Sequence, residues 1–201
     1  RGSMNAKITA TGIQGHSAYP DRSNNPIVAM VKLLDKLVSH QLDAGTEHFD
    51  PSTLAITSVD TGNKASNVIP AVTKATINIR FNDSHSGSSL VSWLKDEIEK
   101  VSAEYGVKFK TDFKISGESF ITPPGELSDL ISKAVKQELG VTPKLSTTGG
   151  TSDARFIRKI SPCLEFGLVN KTMHRVDECV SVSDLRKLTK IYNKILLEYF
   201  K

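Results

Sequence analysis

The chain has 201 residues, 38% of them hydrophobic and 24% charged, which is enough apolar material to bury a core and excludes disorder as its main state. Its 26 basic and 22 acidic residues leave a net charge of +4, a surplus that by itself does not indicate a nucleic-acid partner. No apolar stretch approaches a membrane span, and Lys7 stands where a signal peptide would be apolar. Two cysteines, Cys163 and Cys179, are too few for a disulfide framework, so we expect a cytoplasmic, reducing environment.

The first 115 residues predict a regular succession of strands and helices. The predicted elements are a strand at 7–14, a helix at 26–40, strands at 53–59 and 72–81, a helix from Ser88 or Ser89 to Gly106, and a strand at 107–115. This order is β-α-β-β-α-β, which is the ferredoxin-like arrangement of a four-stranded antiparallel sheet with both helices on one face.

Residue spacing also predicts which side chains face the core. Alternation in the third strand turns Ile77, Ile79 and Phe81 inward and leaves Arg80 off the core face beside Asn78. In the first helix, the apolar residues at helical spacing are Ile27, Val31, Leu34 and Val38.

After Gly117 the pattern changes. The elements predicted there are a helix from Pro123-Pro124 to Leu139, a strand near 144–146, a short helix at 153–158, a strand at 164–166, and a last helix capped by Ser183. So few strands make a poor independent domain. The region is therefore expected to complete a sheet whose other strands lie elsewhere.

Two histidines occupy loop positions at the ends of predicted strands. His16 follows Gly15 in the sequence GHSAYP, and His174 precedes the last helix. A lone loop histidine is more often an exposed residue without a specific function, although an imidazole in such a place can act as a metal ligand or a general base. Cys163, His174 and Cys179 could offer three ligands to zinc, but their spacing matches no compact zinc motif and inert thiols are commoner.

The glycine-bearing run TTGGTSD at 147–153 precedes the predicted short helix. Backbone N–H groups before a helix start can bind a phosphate or a carboxylate equally well. The run lacks the lysine and the glycine spacing of a P-loop. An ordinary capping turn is the simpler interpretation.

Five motifs in order along the chain resemble the M20 peptidase family of dimetal amidohydrolases. They are GHSAYP at 15–20 with NNP at 24–26, SNVIP at 66–70, INIRF at 77–81, STTGGTSDARF at 146–156, and EFG with Asn170 and Met173-His174. The likeness is in particular to those members that hydrolyse N-succinyl-LL-2,6-diaminopimelate to succinate and LL-2,6-diaminopimelate, on the bacterial lysine and cell-wall route. Together the motifs span essentially the whole chain.

The resemblance implies an α+β architecture in two parts. Residues 5–115 would be a ferredoxin-like dimerisation or lid domain, and residues 116–201 would be the C-terminal portion of an α/β catalytic domain whose first half lies outside this sequence. That half supplies most ligands of the two zinc ions, for which cobalt can substitute, and the glutamate that acts as general base. Only His174 matches a metal ligand, so we expect the chain alone to hold no stable metal pair and to be inactive.

The resemblance also assigns roles to other residues. His16 matches a histidine that reaches across a homodimer and hydrogen-bonds the carbonyl oxygen of the amide under attack. Tyr19 and Asn67 match residues contributed to the partner's site. The residues matching the pocket for the substrate's carboxylates are Ser3, Arg80, Gly150, Thr151 and Asn170. A ligand with several carboxylates calls for such cationic and N–H donors.

Alternatives remain open at this point. Another M20 deacylase, such as an acetylornithine deacetylase or an aminoacyl carboxypeptidase, would carry similar motifs. A non-catalytic ferredoxin-like dimerisation module would explain the first 115 residues but not the GGTSD and Met173-His174 motifs. A basic nucleic-acid binder would need exposed aromatic platforms, which the alternating strands lack, so neither a nucleic acid nor a membrane is expected as partner.

Overall fold

A computed structural model describes residues 1–150 and 152–201, which divide into two compact units. The first unit contains Arg1–Phe120 together with the described residues from Thr147 to Gly150, and the second contains Ile121–Ser146 and Ser152–Lys201. Among the described residues, no helix is both long and apolar enough to cross a bilayer.

The described residues form six strands, five α-helices and one 3₁₀ turn. In chain order they are β1 Gly2–Thr11, β2 Gly15–His16, α1 Pro26–Ser39, β3 Thr53–Asp60, β4 Val68–Ile69, β5 Val72–Phe81, α2 Gly87–Tyr105, β6 Lys108–Gly117, α3 Glu126–Leu139, α4 Ala154–Ile157 and α5 Val182–Tyr199. A 3₁₀ turn at Pro20–Arg22 lies between β2 and α1.

The first unit is built on a four-stranded antiparallel sheet with the order β3-β5-β1-β6. Strand β1 is central because it pairs with β5 on one side and with β6 on the other, and β3 and β6 form the two edges. With α1 between β1 and β3 and α2 between β5 and β6, this is the ferredoxin-like α+β fold that the sequence predicts.

One face of the sheet packs against both helices. The inward residues of β1 and β5, among them Met4, Ile8, Ile77 and Phe81, are fully buried together with Leu33 and Leu37 of α1 and Leu90 and Leu94 of α2. Alternation in β5 places Asn78 and Arg80 on the opposite face, as predicted. That opposite face of the four strands is called the open face below, because neither helix of the unit packs on it.

The residues at helical spacing in α1 do not mark its buried face. Apart from Leu34, the four residues at helical spacing are not buried, whereas the buried positions of α1 are Pro26, Ala29, Met30, Leu33, Leu34 and Leu37. Val31 and Val38 remain about half exposed, at 53% and 50%. Apolar side chains cover more than one side of this helix, so spacing alone cannot tell which side is the core.

Several boundaries also differ from the sequence prediction. Strand β1 begins at Gly2 rather than Lys7 and ends at Thr11. Helix α2 is capped by Ser86 rather than by Ser88 or Ser89, since the Ser86 Oγ accepts from the Ser89 backbone N–H at 3.1 Å while the Ser89 Oγ accepts from the Ser86 N–H at 3.1 Å. Its end at Gly106 is as predicted, because the backbone there is left-handed with φ of 62°.

The second unit is helical, and its core lies between α3 and α5. Ile131, Ala134 and Val135 of α3 pack there against Ile191 and Ile195 of α5. Helix α3 begins at Glu126 rather than at the two prolines, and α5 is capped at Ser181 rather than Ser183.

The two strands predicted in this region are wrong. Residues 144–146 and 164–166 form no strand. A strand needs a hydrogen-bonding neighbour, and these segments pair with none in the part of the chain that the structure describes. Leu164 and Phe166 instead lie partly buried against the core of the second unit.

Candidate functional sites

His16 and Asn67 meet at one corner of the first unit, where the two-residue strands β2 and β4 pair. His16 lies opposite Val68, and the Ser17 backbone N–H donates to the Asn67 carbonyl at 3.0 Å. This short ladder brings together two segments that are about fifty positions apart in sequence. The corner defined by His16, Tyr19 and Asn67 is called the histidine corner below.

A backbone hydrogen bond fixes the imidazole of His16. Its Nδ1 accepts from the Ala18 N–H at 3.0 Å, so the neutral ring carries its hydrogen on Nε2. The side chain is exposed, and the Nε2–H is therefore a donor that can be presented to an external acceptor. Such a donor is suited to an oxygen atom that gains negative charge during a reaction.

Tyr19 extends the histidine corner. Its ring lies 5.9 Å from that of His16 and is 56% exposed, while the Arg22 guanidinium carbon stands 5.0 Å from the Tyr19 ring centroid. The segment that follows is tied to the body of the unit, because the Asn24 amide donates to the carbonyls of Tyr105 and Gly106 at 3.2 and 2.9 Å. The loop is thus held at both of its ends.

Ser3 and Arg80 lie side by side on the open face. They are directly opposite each other in the β1–β5 register, and Ser3 is buried, with 3% exposure. The Arg80 Nε donates to the Asn78 Oδ1 at 3.1 Å, and the Asn78 amide donates to the Asn5 Oδ1 at 2.9 Å. This chain of side chains fixes the orientation of the guanidinium.

The remaining predicted residues belong to other segments of the chain. Gly150 is exposed in the first unit, and Thr151 lies outside the described residues. Asn170 is exposed in the second unit, where its carbonyl accepts from the Met173 N–H at 3.3 Å. His174 has a left-handed backbone with φ of 61°, and its N–H donates to the Glu178 carboxylate at 3.1 Å.

A metal pair does not fit the residues of this chain by themselves. No group of three or more His, Cys, Asp or Glu side chains able to hold a metal ion occurs among residues 1–150 and 152–201. Zinc needs at least three protein ligands in a catalytic site. His174 alone therefore cannot form such a site, and Cys163 and Cys179 do not join it in one cluster.

Sequence reasoning missed Arg22, Asn5 and Asn78 as parts of these sites. The alternation of β5 already placed Asn78 on the same face as Arg80, two positions away, and this was a usable signal. Asn5 could not be found in this way, because its place beside Asn78 depends on the register between β1 and β5. Arg22 reaches Tyr19 only through the turn at Pro20–Arg22.

Comparison with known families now adds to this geometry. The model of the peptidase dimerisation domain of the M20 family matches residues 1–106, which is more than half of the chain. The chain belongs to this family. The matched region includes the histidine corner and the row formed by Ser3 and Arg80.

Curated relatives match the entire chain. The succinyl-diaminopimelate desuccinylase of Cereibacter sphaeroides (strain ATCC 17025 / ATH 2.4.3) is 61% identical over 200 residues, which are 100% of this chain and 53% of that protein. The enzyme of the same name from Ruegeria pomeroyi is 58% identical over 200 residues, with the same coverage. The chain thus spans about half the length of the curated relatives it matches.

Solved structures share the fold at low sequence identity. A tripeptidase from Staphylococcus aureus superposes with a TM-score of 0.79 at 18% identity, over 96% of this chain and 50% of that one. Aminopeptidase PepT from Bacillus cereus superposes with a TM-score of 0.75 at 17% identity, over 100% of this chain and 52% of that one. At these identities the likeness supports the fold alone.

Proposed function

We propose that this chain is part of a succinyl-diaminopimelate desuccinylase, a metal-dependent amidohydrolase that releases succinate from N-succinyl-LL-2,6-diaminopimelate. The observation that carries the proposal is 61% identity over the whole chain to an enzyme of that name. The predicted domains enter the proposal unchanged: residues 5–115 are the dimerisation domain, and residues 116–201 are part of the catalytic domain.

In this proposal the histidine corner acts on the scissile amide. His16 would donate from Nε2 to the carbonyl oxygen as that oxygen gains charge, and the bond from Ala18 to Nδ1 keeps the hydrogen on the outward nitrogen. Tyr19 and Asn67 would line the same site, which belongs to the partner subunit. Ser3, Arg80, Gly150, Thr151 and Asn170 would hold the carboxylates of the substrate.

The metal ions belong to the full-length enzyme in this proposal. His174 would be the one ligand that this chain gives to a pair of zinc or cobalt ions, and the other ligands would come from outside the present sequence. The chain alone is then expected to show no desuccinylase activity and no stoichiometric metal pair. Two tightly bound zinc ions per chain, together with hydrolysis of the succinylated substrate, would contradict this.

A homodimer is supported by the surface along β3. Lys36 of α1 contacts Glu97 of α2 at 2.6 Å, so the side of α1 that carries Val31 and Val38 points away from α2, towards the β3 edge. On the helix side of β3, Ile56 and Val59 are 38% and 52% exposed. Half-exposed apolar side chains of α1 and β3 thus flank an edge strand, which is a suitable surface for a two-fold contact.

The other edge is less suited to pairing. Strand β6 carries Lys108, Lys110 and Lys114 on one face, and lysine on an edge strand opposes the addition of another strand. We therefore expect the dimer to form through β3 and α1. The proposal predicts that the chain sediments as a dimer.

Two substitutions locate this contact. Val31→Lys or Val59→Lys should shift the chain to monomer in sedimentation, because each places a charge in an apolar interface. Val176→Lys is the matched control, since Val176 is 92% exposed in the second unit and should leave the dimer intact. A concentration-independent monomer in the unmodified chain would contradict the proposed dimer.

Kinetics of the full-length enzyme test the proposed role of His16. His16→Ala should lower kcat on the order of 10² to 10³-fold and change KM little, because the donor acts mainly in the transition state. Metal content should stay unchanged. His48→Ala, at an exposed histidine outside the corner, is the control that should keep normal turnover.

Two results would contradict this role. Unchanged turnover in His16→Ala would show that the side chain has no role in catalysis. Loss of activity that follows loss of metal would show that His16 is a metal ligand. Activity of the full-length enzyme on acetylated rather than succinylated substrates would favour another M20 deacylase, such as an acetylornithine deacetylase.

A further inference from the structure

The open face of the sheet is polar and strongly basic. The pairing register arranges its residues in rows across the strands, and four of these rows run from β6 through β1 and β5 to β3. They are Gly117-Ser3-Arg80-Thr53, Lys114-Asn5-Asn78-Ala55, Asp112-Lys7-Thr76-Ser58 and Lys110-Thr9-Lys74-Asp60. Lys108 beside Thr11 follows at the end of the sheet.

The net charge of this face is as large as that of the whole chain. Six of the 26 basic residues and two of the 22 acidic residues lie on it, which gives +4. The remaining 20 basic and 20 acidic residues balance. The open face is therefore a surface of net positive charge, and it attracts anions.

Among the described residues, about half of the lysines outside the open face lie in ion pairs, whereas the lysines of the open face lie in none. Outside this face, Glu97 holds Lys36 and Lys100, and Glu138 holds Lys190 and Lys194. Within the residues that the structure describes, the open-face lysines Lys7, Lys74, Lys108, Lys110 and Lys114 lie within 4.0 Å of no carboxylate. Asp112 stands opposite Lys7 and Asp60 opposite Lys74, and these two carboxylates balance only part of the positive charge of the face.

The composition of the face indicates what kind of anion it suits. Most of its uncharged members are serine, threonine and asparagine, the others are Ala55, Val72 and Gly117, and none of its strand positions is aromatic. Single-stranded nucleic acid needs aromatic platforms for its bases, so this face lacks the main element of such a site. Small anions with several carboxylates need only cations and hydrogen-bond donors.

We propose that the open face attracts small polycarboxylates and guides them along the strands to the row of Ser3 and Arg80. The lysines supply long-range attraction, and Arg80, held by Asn78 and Asn5, supplies a donor of fixed orientation at one end of the face. The identification of the guided molecule as the succinylated substrate rests on the proposed function. Attraction of polycarboxylates by the chain itself does not.

The chain alone tests the attraction. Citrate, added at low ionic strength and followed by NMR of backbone amides, should shift signals of β1, β5 and β6. The variant Lys7→Gln, Lys74→Gln, Lys110→Gln, Lys114→Gln should weaken this binding by about tenfold or more. The matched control carries four exposed lysines changed elsewhere, Lys136→Gln, Lys144→Gln, Lys159→Gln and Lys171→Gln, and should bind citrate as the unmodified chain does.

The full-length enzyme tests the guidance. At low salt the open-face variant should lose about tenfold in kcat/KM with kcat unchanged, and its kcat/KM should depend less on salt. The control variant should keep both properties. Equal kcat/KM and equal salt dependence in the two variants would overturn the guidance.

The two experiments test the open face and the proposed function separately. Equal citrate binding by the two variants, or binding of a short single-stranded RNA that is tighter than citrate and lost in the open-face variant, would overturn the inference whatever the enzyme does. A full-length enzyme that does not hydrolyse the succinylated substrate would overturn the proposed function, and the citrate titration would still decide on the open face.

Discussion

The two units differ in how much of their apolar surface they bury. Among the described residues, the core cluster of the first unit contains eighteen buried side chains, and that of the second contains five. Helix α5 leaves Leu196, Leu197 and Tyr199 more than half exposed. The helices and strands of the first unit thus bury their apolar faces against one another, whereas the second unit is held together mainly by the packing of one helix pair.

This difference shows why local sequence patterns succeed in one unit and fail in the other. Alternation and helical spacing predict an element correctly when its hydrogen-bonding or packing partner lies in the same unit. Strands were predicted at 144–146 and 164–166, but no neighbour in the described chain pairs with these segments. In the proposed full-length enzyme the remaining part of the catalytic domain would supply that neighbour.

The largest expected loss of stability comes from a cavity in the core of the first unit. Phe81→Ala removes a fully buried ring and should lower the free energy of unfolding by about 3–5 kcal/mol. Fluorescence of Trp93, the only tryptophan, reports on this unit in a denaturant titration. Phe200→Ala is the control, because Phe200 is 78% exposed and its loss should change the midpoint little.

A smaller effect is expected in the core of the second unit. Ile191→Ala truncates a side chain with 2% exposure, and the cost should be about 2 kcal/mol because a small cluster collapses more easily around a cavity. Far-UV circular dichroism should show an earlier loss of helix while the Trp93 transition stays in place. If the Trp93 transition moves by the same amount, the two cores are not separate.

A prediction from sequence is correct where the local pattern of apolar and polar residues is sufficient, and it fails where the structure depends on contacts between distant segments. Strand β5 was predicted with its exact bounds because Ile77, Ile79 and Phe81 alternate with polar residues. The core face of α1 could not be predicted because Val31 and Val38 are as apolar as the buried Leu33 and Leu37. In the candidate sites, His16 and Arg80 could be named from the sequence. The hydrogen bond from Ala18 to His16 and the one from Asn78 to Asn5 could not, because both depend on the folded backbone.

Gly12 tests how tightly the chain is packed where it leaves β1. A Cβ at this position would lie 2.0 Å from the Asn24 carbonyl oxygen, which is backbone and cannot swing aside. Gly12→Ala should therefore destabilise the first unit by about 1–3 kcal/mol in the Trp93 titration. Gly125→Ala is the control in the second unit, since nothing lies within 4 Å of its added Cβ. Equal stability of the two variants would show that the chain near Gly12 can relax.

The smallest effect concerns Asp43 and depends on pH. Burial pushes the pKa of this carboxyl up, but hydrogen bonds from Ser52, the Gly45 N–H and the Asn82 amide outweigh it, so the pKa lies below its usual range. A carboxyl whose pKa is lower in the folded state stabilises the protein above the unfolded-state pKa of about 4, and that contribution is lost as the pH falls through the lower, folded-state value.

Asp43→Asn should therefore destabilise the first unit by about 1 kcal/mol at pH 5, where the carboxylate accepts these bonds, and by less at pH 3. Denaturant titrations followed by Trp93 fluorescence at the two pH values measure the difference. The two proteins share His85, whose Nε2 lies 3.2 Å from the Asp43 carboxylate in the unmodified chain. Asp21→Asn, at an exposed position, is the control without such a pH dependence. A destabilisation by Asp43→Asn that is the same at both pH values would contradict this, because a pKa lowered by folding must make the loss larger at pH 5 than at pH 3.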